Sequence, residues 1–348
     1  MKDNEKFALI KYSSINIGDD IQSIAAKRFL PKIDAYVQRE RTDEFNSDFV
    51  HKLIMNAWWM WDVEHFPPSD SIEPLLISMY LRKEIRDDLI NGKVRNYLIE
   101  KGPVGCRDTS TCDYLNSIGI PAYFSGCLTL TLVPNKKIPK EKFILAVDLD
   151  EHAVNRIKMM SDMPVYTMSR MLSPYFNSMN RLEIAELVLH LYQSAHCVVS
   201  PCLHVVLPCL ALETSVLRVD TGDATGGPAH STGNAKGRFS GMEHLAHTVE
   251  YDRFLNEDID YDFDTPPKNP KDYKIIANKL VEQCSEFTGY RNEDSEIRGE
   301  VPLLRLIQIL EEDKTINNKA PYYTSFKGII SHLIDRIVFR KSRFDSNS

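Results

Sequence analysis

Residues 197–220, CVVSPCLHVVLPCLALETSVLRVD, predict a strand, a helix and a second strand in quick succession. The apolar run CVVS ends at a proline, and the helical stretch LHVVLPCLALE and the run SVLRVD follow it. Parallel neighbouring strands need a crossover of this kind, whereas antiparallel strands are often joined by short turns. The stretch therefore predicts a βαβ unit within a parallel α/β sheet.

The same alternation extends from this unit towards the start of the chain. Directly before it stand the strand-like KFILAVDLD, the helical EHAVNRIKMM, the strand-like PVYTMS and the amphipathic RLEIAELVLHLYQSA. The first half opens with the apolar run FALIKY (7–12) and later contains SGCLTLTL (125–132), which predicts a half-buried strand. A Pro/Lys-rich linker, VPNKKIPKEK (133–142), separates the two series. We therefore predict an α/β protein with two parallel-sheet domains side by side, at 1–135 and 142–290, and C-terminal helices in 291–348.

The composition excludes several classes of protein. The 348 residues include 42 Lys and Arg and 49 Asp and Glu, which gives a net charge of −7. The chain as a whole is therefore not a polycation that could neutralise a nucleic-acid backbone. No run of about 18 apolar residues is present to span a bilayer. The seven cysteines form no CxxC pair, which argues against a disulfide framework and a zinc ribbon. We expect a cytoplasmic protein with no metal, no cofactor and no nucleic-acid partner.

The segment Ser200–His204, SPCLH, lies where a predicted strand ends and a helix begins. Free backbone N–H groups and the helix dipole converge on an anion at such a position. His204 is suited to hydrogen bonding with a phosphate or carboxylate there, or to proton transfer near neutral pH. A first-turn histidine that only satisfies backbone groups is the structural alternative, and this segment alone does not decide between the two.

Arg107 lies at a second predicted strand end, in VGCRDTST, before a helix that we expect to be capped at Thr109 or Ser110. A guanidinium binds phosphate or carboxylate oxygens in a bidentate manner, and each charge-assisted hydrogen bond contributes about 1.5–3 kcal/mol. The structural alternative is an ion pair between Arg107 and Asp108 at the surface. The motif alone does not decide between an anion contact and this ion pair.

The polar segment NIGDDIQ (16–22) follows the first predicted strand. Gly18 permits a tight turn or the close approach of a ligand, and Asp19 or Asp20 is suited to accept a hydrogen bond from a sugar hydroxyl or to act as a base. In the structural alternative, Asn16 caps the helix and the two aspartates favour its dipole. Neither a GxGxxG fingerprint nor a P-loop is present, so the sequence supports neither a dinucleotide-binding fold nor a P-loop fold.

Four motifs in this order resemble the polysaccharide pyruvyl transferase family: NIGDDIQ at 16–22, VGCRDTSTCDYL at 104–115, GIPAYFSGCLTLTL at 119–132 and SPCLHVVLPCLALETSVL at 200–217. The resemblance implies a fold like that of the GT-B glycosyltransferases, with two Rossmann-like domains facing a cleft. It also implies transfer of a pyruvyl group from phosphoenolpyruvate to a sugar, which forms a cyclic ketal and releases phosphate. The biological role that it implies is the synthesis of a bacterial cell-surface polysaccharide, such as a capsule or an exopolysaccharide.

The resemblance also implies site residues. Arg107 would be the cleft arginine that holds the donor from the N-terminal domain, and Leu203 and His204 would line the phosphate and carboxylate site from the C-terminal domain. As catalytic residues we predict His204, Arg107 and Asp19. The further donor contacts that we predict are Ser200, Cys202 and Leu203, and the acceptor contacts are Asn16, Gly18, Asp19, Asp20 and Gln22.

In the mechanism implied by the resemblance, His204 protonates the methylene carbon of phosphoenolpyruvate. A sugar hydroxyl attacks the resulting oxocarbenium and a second hydroxyl displaces phosphate, while Asp19 or Asp20 positions or deprotonates the acceptor. We expect a lipid-linked oligosaccharide as the acceptor. The basic amphipathic helix predicted at 324–344 is then a candidate for peripheral contact with the inner face of the membrane. The alternative for this helix is that it packs on the protein body.

One position departs from the family pattern. Many members carry arginine immediately before the Leu-His pair, where this chain has Cys202. The missing charge then has to come from another cation, and the candidates are Arg107, Arg170, Arg238 and the lysines. The departure also leaves open a non-catalytic subunit of a polysaccharide assembly complex. A further alternative is a GT-B glycosyltransferase that uses a nucleotide sugar, with Glu213 or Asp220 as a ribose clamp.

Overall fold

The structure is a computed structural model that describes residues 5–59, 63–171, 178–221 and 237–299. The C-terminal helices predicted beyond residue 299, including the one at 324–344, lie outside the described residues. Within the described ranges, no helix is long and apolar enough to cross a membrane. In the same part of the chain, no group of His, Cys, Asp and Glu side chains could hold a metal ion.

The N-terminal half alternates strands and helices around a parallel sheet. Its elements are β1 Lys6–Lys11, α1 Ile17–Lys27, β2 Ala35–Gln38, β3 His51–Ile54, β4 Trp58–Trp59, β5 Ile72–Leu75, β6 Tyr80–Leu81, α2 Arg86–Leu89, α3 Gly92–Lys101, β7 Val104–Cys106, α4 Thr109–Ser117 and β8 Ala122–Phe124. Four strands pair in the order β2-β1-β3-β5, and β4 pairs with β6 and β7 with β8, all in parallel. Backbone hydrogen bonds from Gly105 to Leu76 and from Arg107 to Met79 attach β7 to the chain that links β5 and β6.

The C-terminal half repeats the alternation around a second parallel sheet. Its elements are β9 Ile144–Val147, α5 Glu151–Met160, β10 Val165–Met168, α6 Ser178–Ser194, β11 Cys197–Ser200, α7 Leu203–Ala211, β12 Ser215–Asp220, β13 His247–Glu250, α8 Tyr251–Asn256 and α9 Tyr273–Thr288. The strand order is β10-β9-β11-β12-β13, and every pair is parallel. The predicted α/β class with two Rossmann-like sheets is therefore confirmed.

The stretch at 197–220 folds as predicted, and its burial explains why. Every residue of β11 and of α7 is buried. A strand in the middle of a parallel sheet is covered on both faces, so its sequence is continuously apolar rather than alternating. The run CVVS satisfies this requirement because β11 lies between β9 and β12 in the sheet.

Two local expectations in the N-terminal half are wrong. Helix α4 is capped by Asp108, not by Thr109 or Ser110, because the backbone of Asp108 is extended and its Oδ1 accepts a hydrogen bond from the N–H of Thr111 at 2.9 Å. The run SGCLTLTL does not form a strand. Its residues Leu128–Thr131 form a 3-10 turn in which both the leucines and the threonines are buried, so the alternation does not separate a buried face from an exposed one.

The two halves are packed firmly on each other. Helix α1 packs against α6, and one apolar cluster contains Ile24 of α1, Leu189 of α6 and Val206 of α7. Asp20 of α1 forms a buried bidentate ion pair with Arg181 of α6, at 2.6 and 2.9 Å. The contact is therefore built from a continuous core as well as an ion pair. These contacts fix the two sheets relative to each other in this structure.

Helix α9 lies inside the range predicted for the C-terminal domain, yet it contacts the N-terminal half. The amide Nε2 of Gln283 donates to the hydroxyl of Tyr123 at 2.7 Å. The side chain of Ile276 lies so close to Gly126 that a Cβ there would come within 2.4 Å of it. Gly126 has a φ of +75°, and a side chain at this position would therefore meet both backbone strain and a steric clash.

Candidate functional site

The carboxyl ends of strands from both sheets meet at one place. Gly18, which follows β1, approaches His204, which follows β11, so closely that a Cβ on Gly18 would lie 3.0 Å from Cβ and 3.2 Å from Nδ1 of His204. The backbone N–H of Ile17 donates to the carbonyl of Arg170, which follows β10, at 2.9 Å. Ligands in parallel α/β proteins bind at this edge of the sheet. Two motifs that lie far apart in the sequence therefore form one candidate site.

Arg107 follows β7 and is fully buried, with 0% of its surface exposed. Its guanidinium carbon lies 4.4 Å from the centre of the Tyr80 ring, a cation–π contact. Within the described part of the chain, none of its three guanidinium nitrogens has a hydrogen-bond partner. The carboxylate of Asp108 is used elsewhere, because it accepts hydrogen bonds from the backbone and the hydroxyl of Thr111. A buried cation without such partners is costly to the fold, and this favours an anion-binding role for Arg107 over a surface ion pair.

His204 lies in the first turn of α7 with φ −83° and ψ 21°, outside the helical range. It is buried, and its Nε2 has no hydrogen-bond partner among the described residues. Burial lowers the pKa of His204 well below its usual range, and the charges of Arg107, Arg238 and Arg170 lower it further. The imidazole is therefore neutral at pH 7 in the free protein. A buried Nε2 without a partner does not fit a histidine that only satisfies backbone groups.

Asp148 holds Arg170 beside this histidine. Asp148 follows β9 in the left-handed region, with φ +53°, a conformation that aspartate tolerates better than most residues. Its Oδ1 accepts the backbone N–H of Arg170 at 3.2 Å, and its Oδ2 forms a short ion pair with Nε of Arg170. The thiol of Cys202 donates to the same Oδ2 at 3.5 Å. Arg170 therefore has its own counter-charge, and the side chain of Cys202 faces this ion pair.

The two acidic residues in the first turn of α1 have different surroundings. Asp20 is bound to Arg181, and burial raises the pKa of Asp20 to about 6, although the charge of Arg181 acts in the opposite direction. Asp19 is buried within the N-terminal half. Its carboxylate accepts side-chain hydrogen bonds at 2.6–3.4 Å from Ser14, Gln22 and Arg39. Asp20 thus joins the two halves, whereas Asp19 and Gln22 belong to one polar network.

The remaining predicted contact residues have structural partners. Asn16 caps α1, because its Oδ1 accepts a hydrogen bond from the N–H of Gly18 at 2.9 Å. The hydroxyl of Ser200 accepts a hydrogen bond from the N–H of Cys202 at 3.1 Å. Leu203 is buried in the apolar cluster between the halves. These residues shape the site, whereas Arg107 and His204 present polar atoms that have no partner in the described structure.

Both candidates for a ribose clamp have other partners. Glu213 follows α7 and precedes β12, so it lies at the opposite edge of the sheet from His204, where it pairs with Lys274 at 3.3 Å. Asp220 ends β12 at the correct edge, but it pairs with Arg218 at 2.8 Å. Neither carboxylate supports the nucleotide-sugar alternative.

Sequence reasoning missed two residues that build this site. Asp148 directly follows the apolar run FILAV, and a carboxylate at a strand end is a signal that could have found it. Tyr80, which lies against Arg107, follows no recognisable pattern. Arg170 and Arg238 were predicted only as substitutes for the arginine that Cys202 replaces, although the charges of both act on His204.

The depressed pKa of His204 predicts a specific dependence of stability on pH. An unfolded histidine titrates at about 6.5. Below that pH the unfolded chain binds a proton that the native protein does not, so the free energy of unfolding falls as the pH drops, by up to about 1.4 kcal/mol per pH unit. We expect the thermal midpoint of the wild type to fall more steeply between pH 6.5 and 5 than that of His204→Gln. Parallel curves for the two proteins would contradict a buried, neutral His204.

Comparisons with known proteins assign this chain to no family. No family model and no curated protein matches the sequence. Among solved structures, the chain resembles an uncharacterized protein of Klebsiella pneumoniae, KP1_0663, with a TM-score of 0.45 and 16% identity over 71% of this chain and 92% of that one. It also resembles a UDP-N-acetylglucosamine 2-epimerase, with a TM-score of 0.39 and 9% identity over 91% and 98% of the two chains. The UDP-GlcNAc 2-epimerase of Methanocaldococcus jannaschii gives a TM-score of 0.33 and 10% identity over 88% and 99%.

Proposed function

We propose that this protein transfers a pyruvyl group from phosphoenolpyruvate to a sugar, forming a cyclic ketal and releasing phosphate. The single observation that carries the proposal is the buried guanidinium of Arg107, which has no hydrogen-bond partner in the described structure and whose charge acts on His204. A site of this kind favours a small ligand with more than one negative charge. The resemblance of four sequence motifs to the polysaccharide pyruvyl transferases supports the choice of phosphoenolpyruvate.

The charge of the donor fits the site. A phosphate monoester and a carboxylate together carry roughly −2.5 to −3 at pH 7. Burial is the main cause of the low pKa of His204, and the positive charges of Arg107, Arg238 and Arg170 lower it further. A bound anion offsets these charges, so the pKa of His204 rises when the donor binds. The imidazole then takes up the proton that a general acid needs.

The proposed reaction uses this proton directly. Protonated His204 gives its Nε2 proton to the methylene carbon of phosphoenolpyruvate, and the neighbouring carbon becomes an oxocarbenium. One sugar hydroxyl adds to that carbon and returns a proton to His204, and a second hydroxyl of the same sugar then displaces phosphate, which leaves with the proton of that hydroxyl. Arg107 and the first turn of α7 stabilise the phosphate and carboxylate during these steps.

The acceptor side of the proposal rests on the N-terminal half. At the start of α1, Gly18 lies next to His204 and Asn16 next to Arg170, and Asp19 follows Gly18 in the same helical turn. Asp19 is the residue of this group that we propose to position the acceptor hydroxyl, because Asp20 is bound to Arg181. The proposed acceptor is a lipid-linked oligosaccharide for cell-surface polysaccharide, which places the reaction at the cytoplasmic face of the membrane.

Calorimetric titration of the purified protein with phosphoenolpyruvate, UDP and GDP tests the proposal. We expect phosphoenolpyruvate to bind and the nucleotides not to bind. Repeating the titration at pH 7.5 in buffers of different ionisation enthalpy should give an uptake of up to about one proton per donor bound, which His204→Gln abolishes. Binding of UDP or GDP without phosphoenolpyruvate would instead support a nucleotide-sugar glycosyltransferase. If none of the three ligands binds, a non-catalytic subunit of a polysaccharide assembly complex is the better hypothesis.

A further inference from the structure

Residues 237–242, here called the strap, follow β12 in the chain and cross to the N-terminal half. Ser240 binds the start of α4, because its carbonyl accepts the backbone N–H of Thr109 at 3.1 Å and the two hydroxyls form a short hydrogen bond. Gly241 has a φ of +86°, and a Cβ there would lie 2.8 Å from Thr109 and 3.1 Å from Phe124. The strap is therefore fixed against the helix that begins two residues after Arg107.

The strap carries Arg238 to the side of Arg107. Arg238 is 5% exposed, and its guanidinium carbon lies 5.5 Å from the centre of the Tyr80 ring, the same ring that Arg107 contacts. Burial lowers the pKa of Arg238 to about 10, and the charge of Arg107 acts in the same direction. Two guanidinium groups, one from each half of the chain, therefore contact one aromatic ring, and the charges of both act on His204.

Another nearby arginine is less suited to hold the donor. Arg170 is committed to Asp148, whose carboxylate binds both its backbone N–H and its side chain. Its Nη1 also lies 3.4 Å from Oδ1 of Asn16. A residue held in this way contributes to the local potential, but its guanidinium fork is already occupied on one side by a carboxylate.

We propose that Arg238 is the second arginine that binds the donor, in the place of the arginine that Cys202 replaces. This inference rests on the proposed function. An anion bound between Arg107 and Arg238 is attracted by both groups and reduces their mutual repulsion, so the pair favours a ligand with two separate anionic groups over a monoanion. The strap then determines donor affinity, because it sets the position of Arg238 through its contact with Thr109.

Calorimetry with phosphoenolpyruvate and, separately, with inorganic phosphate tests Arg238. We expect Arg238→Met to bind phosphoenolpyruvate about 10- to 150-fold more weakly, the loss of one charge-assisted hydrogen bond. Arg238→Lys keeps the charge without the planar fork and should lose less. The matched control is Arg28→Met, which removes a buried arginine at the far end of α1, where it binds the carbonyl of Thr131, and should keep wild-type affinity.

A second variant tests the strap without changing the arginine. Gly241→Ala should weaken phosphoenolpyruvate binding, because the new Cβ would displace the strap from Thr109 and Phe124. Wild-type affinity for phosphoenolpyruvate in a folded Arg238→Met would overturn the role of Arg238 and leave the proposed function standing. The same conclusion would follow if the two single variants Arg238→Lys and Gly241→Ala both kept wild-type affinity.

If the wild type does not bind phosphoenolpyruvate, titration with inorganic phosphate tests the anion-binding role of Arg238 separately from the proposed function. Phosphate binding that Arg238→Met weakens would keep Arg238 as an anion ligand while the proposed function falls. Phosphate binding that Arg238→Met leaves unchanged would overturn both. A wild type that binds neither ligand would also overturn both.

Discussion

His204→Gln is expected to release phosphate from phosphoenolpyruvate about 10²- to 10⁴-fold more slowly than the wild type, the usual cost of losing a general acid. Glutamine keeps a hydrogen-bonding group of similar reach, but it cannot deliver a proton to carbon. The loss should therefore fall on kcat, whereas KM for phosphoenolpyruvate changes less. The assay measures phosphate release in the presence of a panel of methyl glycosides, each of which offers the two free hydroxyls that a ketal needs.

The matched control for this variant is His190→Gln. His190 is also buried, but it lies in α6, where its Nδ1 is hydrogen-bonded to the carbonyl of Arg298. We expect near-normal turnover in this control. Near-normal turnover in His204→Gln would remove the general-acid role. A rise in KM at constant kcat would instead make His204 a residue that only binds the donor.

The fold was predictable because it depends on local periodicity. The continuously apolar run at 197–200 and the buried helix after it have the pattern of a central strand and its crossover, and the structure contains both. The run at 125–132 was not predictable in the same way. Four alternating residues fit a half-buried strand and a buried 3-10 turn equally well, and only the packing around Leu128–Thr131 decides between them.

The candidate site was only partly predictable, since its geometry depends on contacts between distant parts of the chain. The motifs around Gly18 and His204 were visible in the sequence, but their contact depends on how α1 packs against α6. The ion pair between Asp20 and Arg181 has no local signature. The position of Arg238 depends on the contact of the strap with α4, which no periodicity encodes.

Arg107→Met tests whether the buried guanidinium serves binding at a cost to stability. Removing two charge-assisted hydrogen bonds to the donor, at about 1.5–3 kcal/mol each, should weaken phosphoenolpyruvate binding by about 10²- to 10⁴-fold. Methionine has a similar length and needs no hydrogen-bond partner. Leaving buried donors unpaired costs about 1–3 kcal/mol, against about 0.5–2 kcal/mol for the contact with Tyr80. The thermal midpoint of the free protein should therefore stay the same or rise.

Arg170→Met is the control for Arg107→Met, because we expect it to change the thermal midpoint in the opposite direction. Arg170 is paired with Asp148, so its removal leaves a buried carboxylate without its partner, and the thermal midpoint should fall. Both variants remove one positive charge near His204. A lower thermal midpoint in Arg107→Met, or wild-type affinity for the donor, would mean that Arg107 stabilises the fold and does not serve donor binding. If Arg107→Met is as stable as the wild type but no longer binds the donor, the buried charge of Arg107 does not stabilise the free protein and serves to bind an anion.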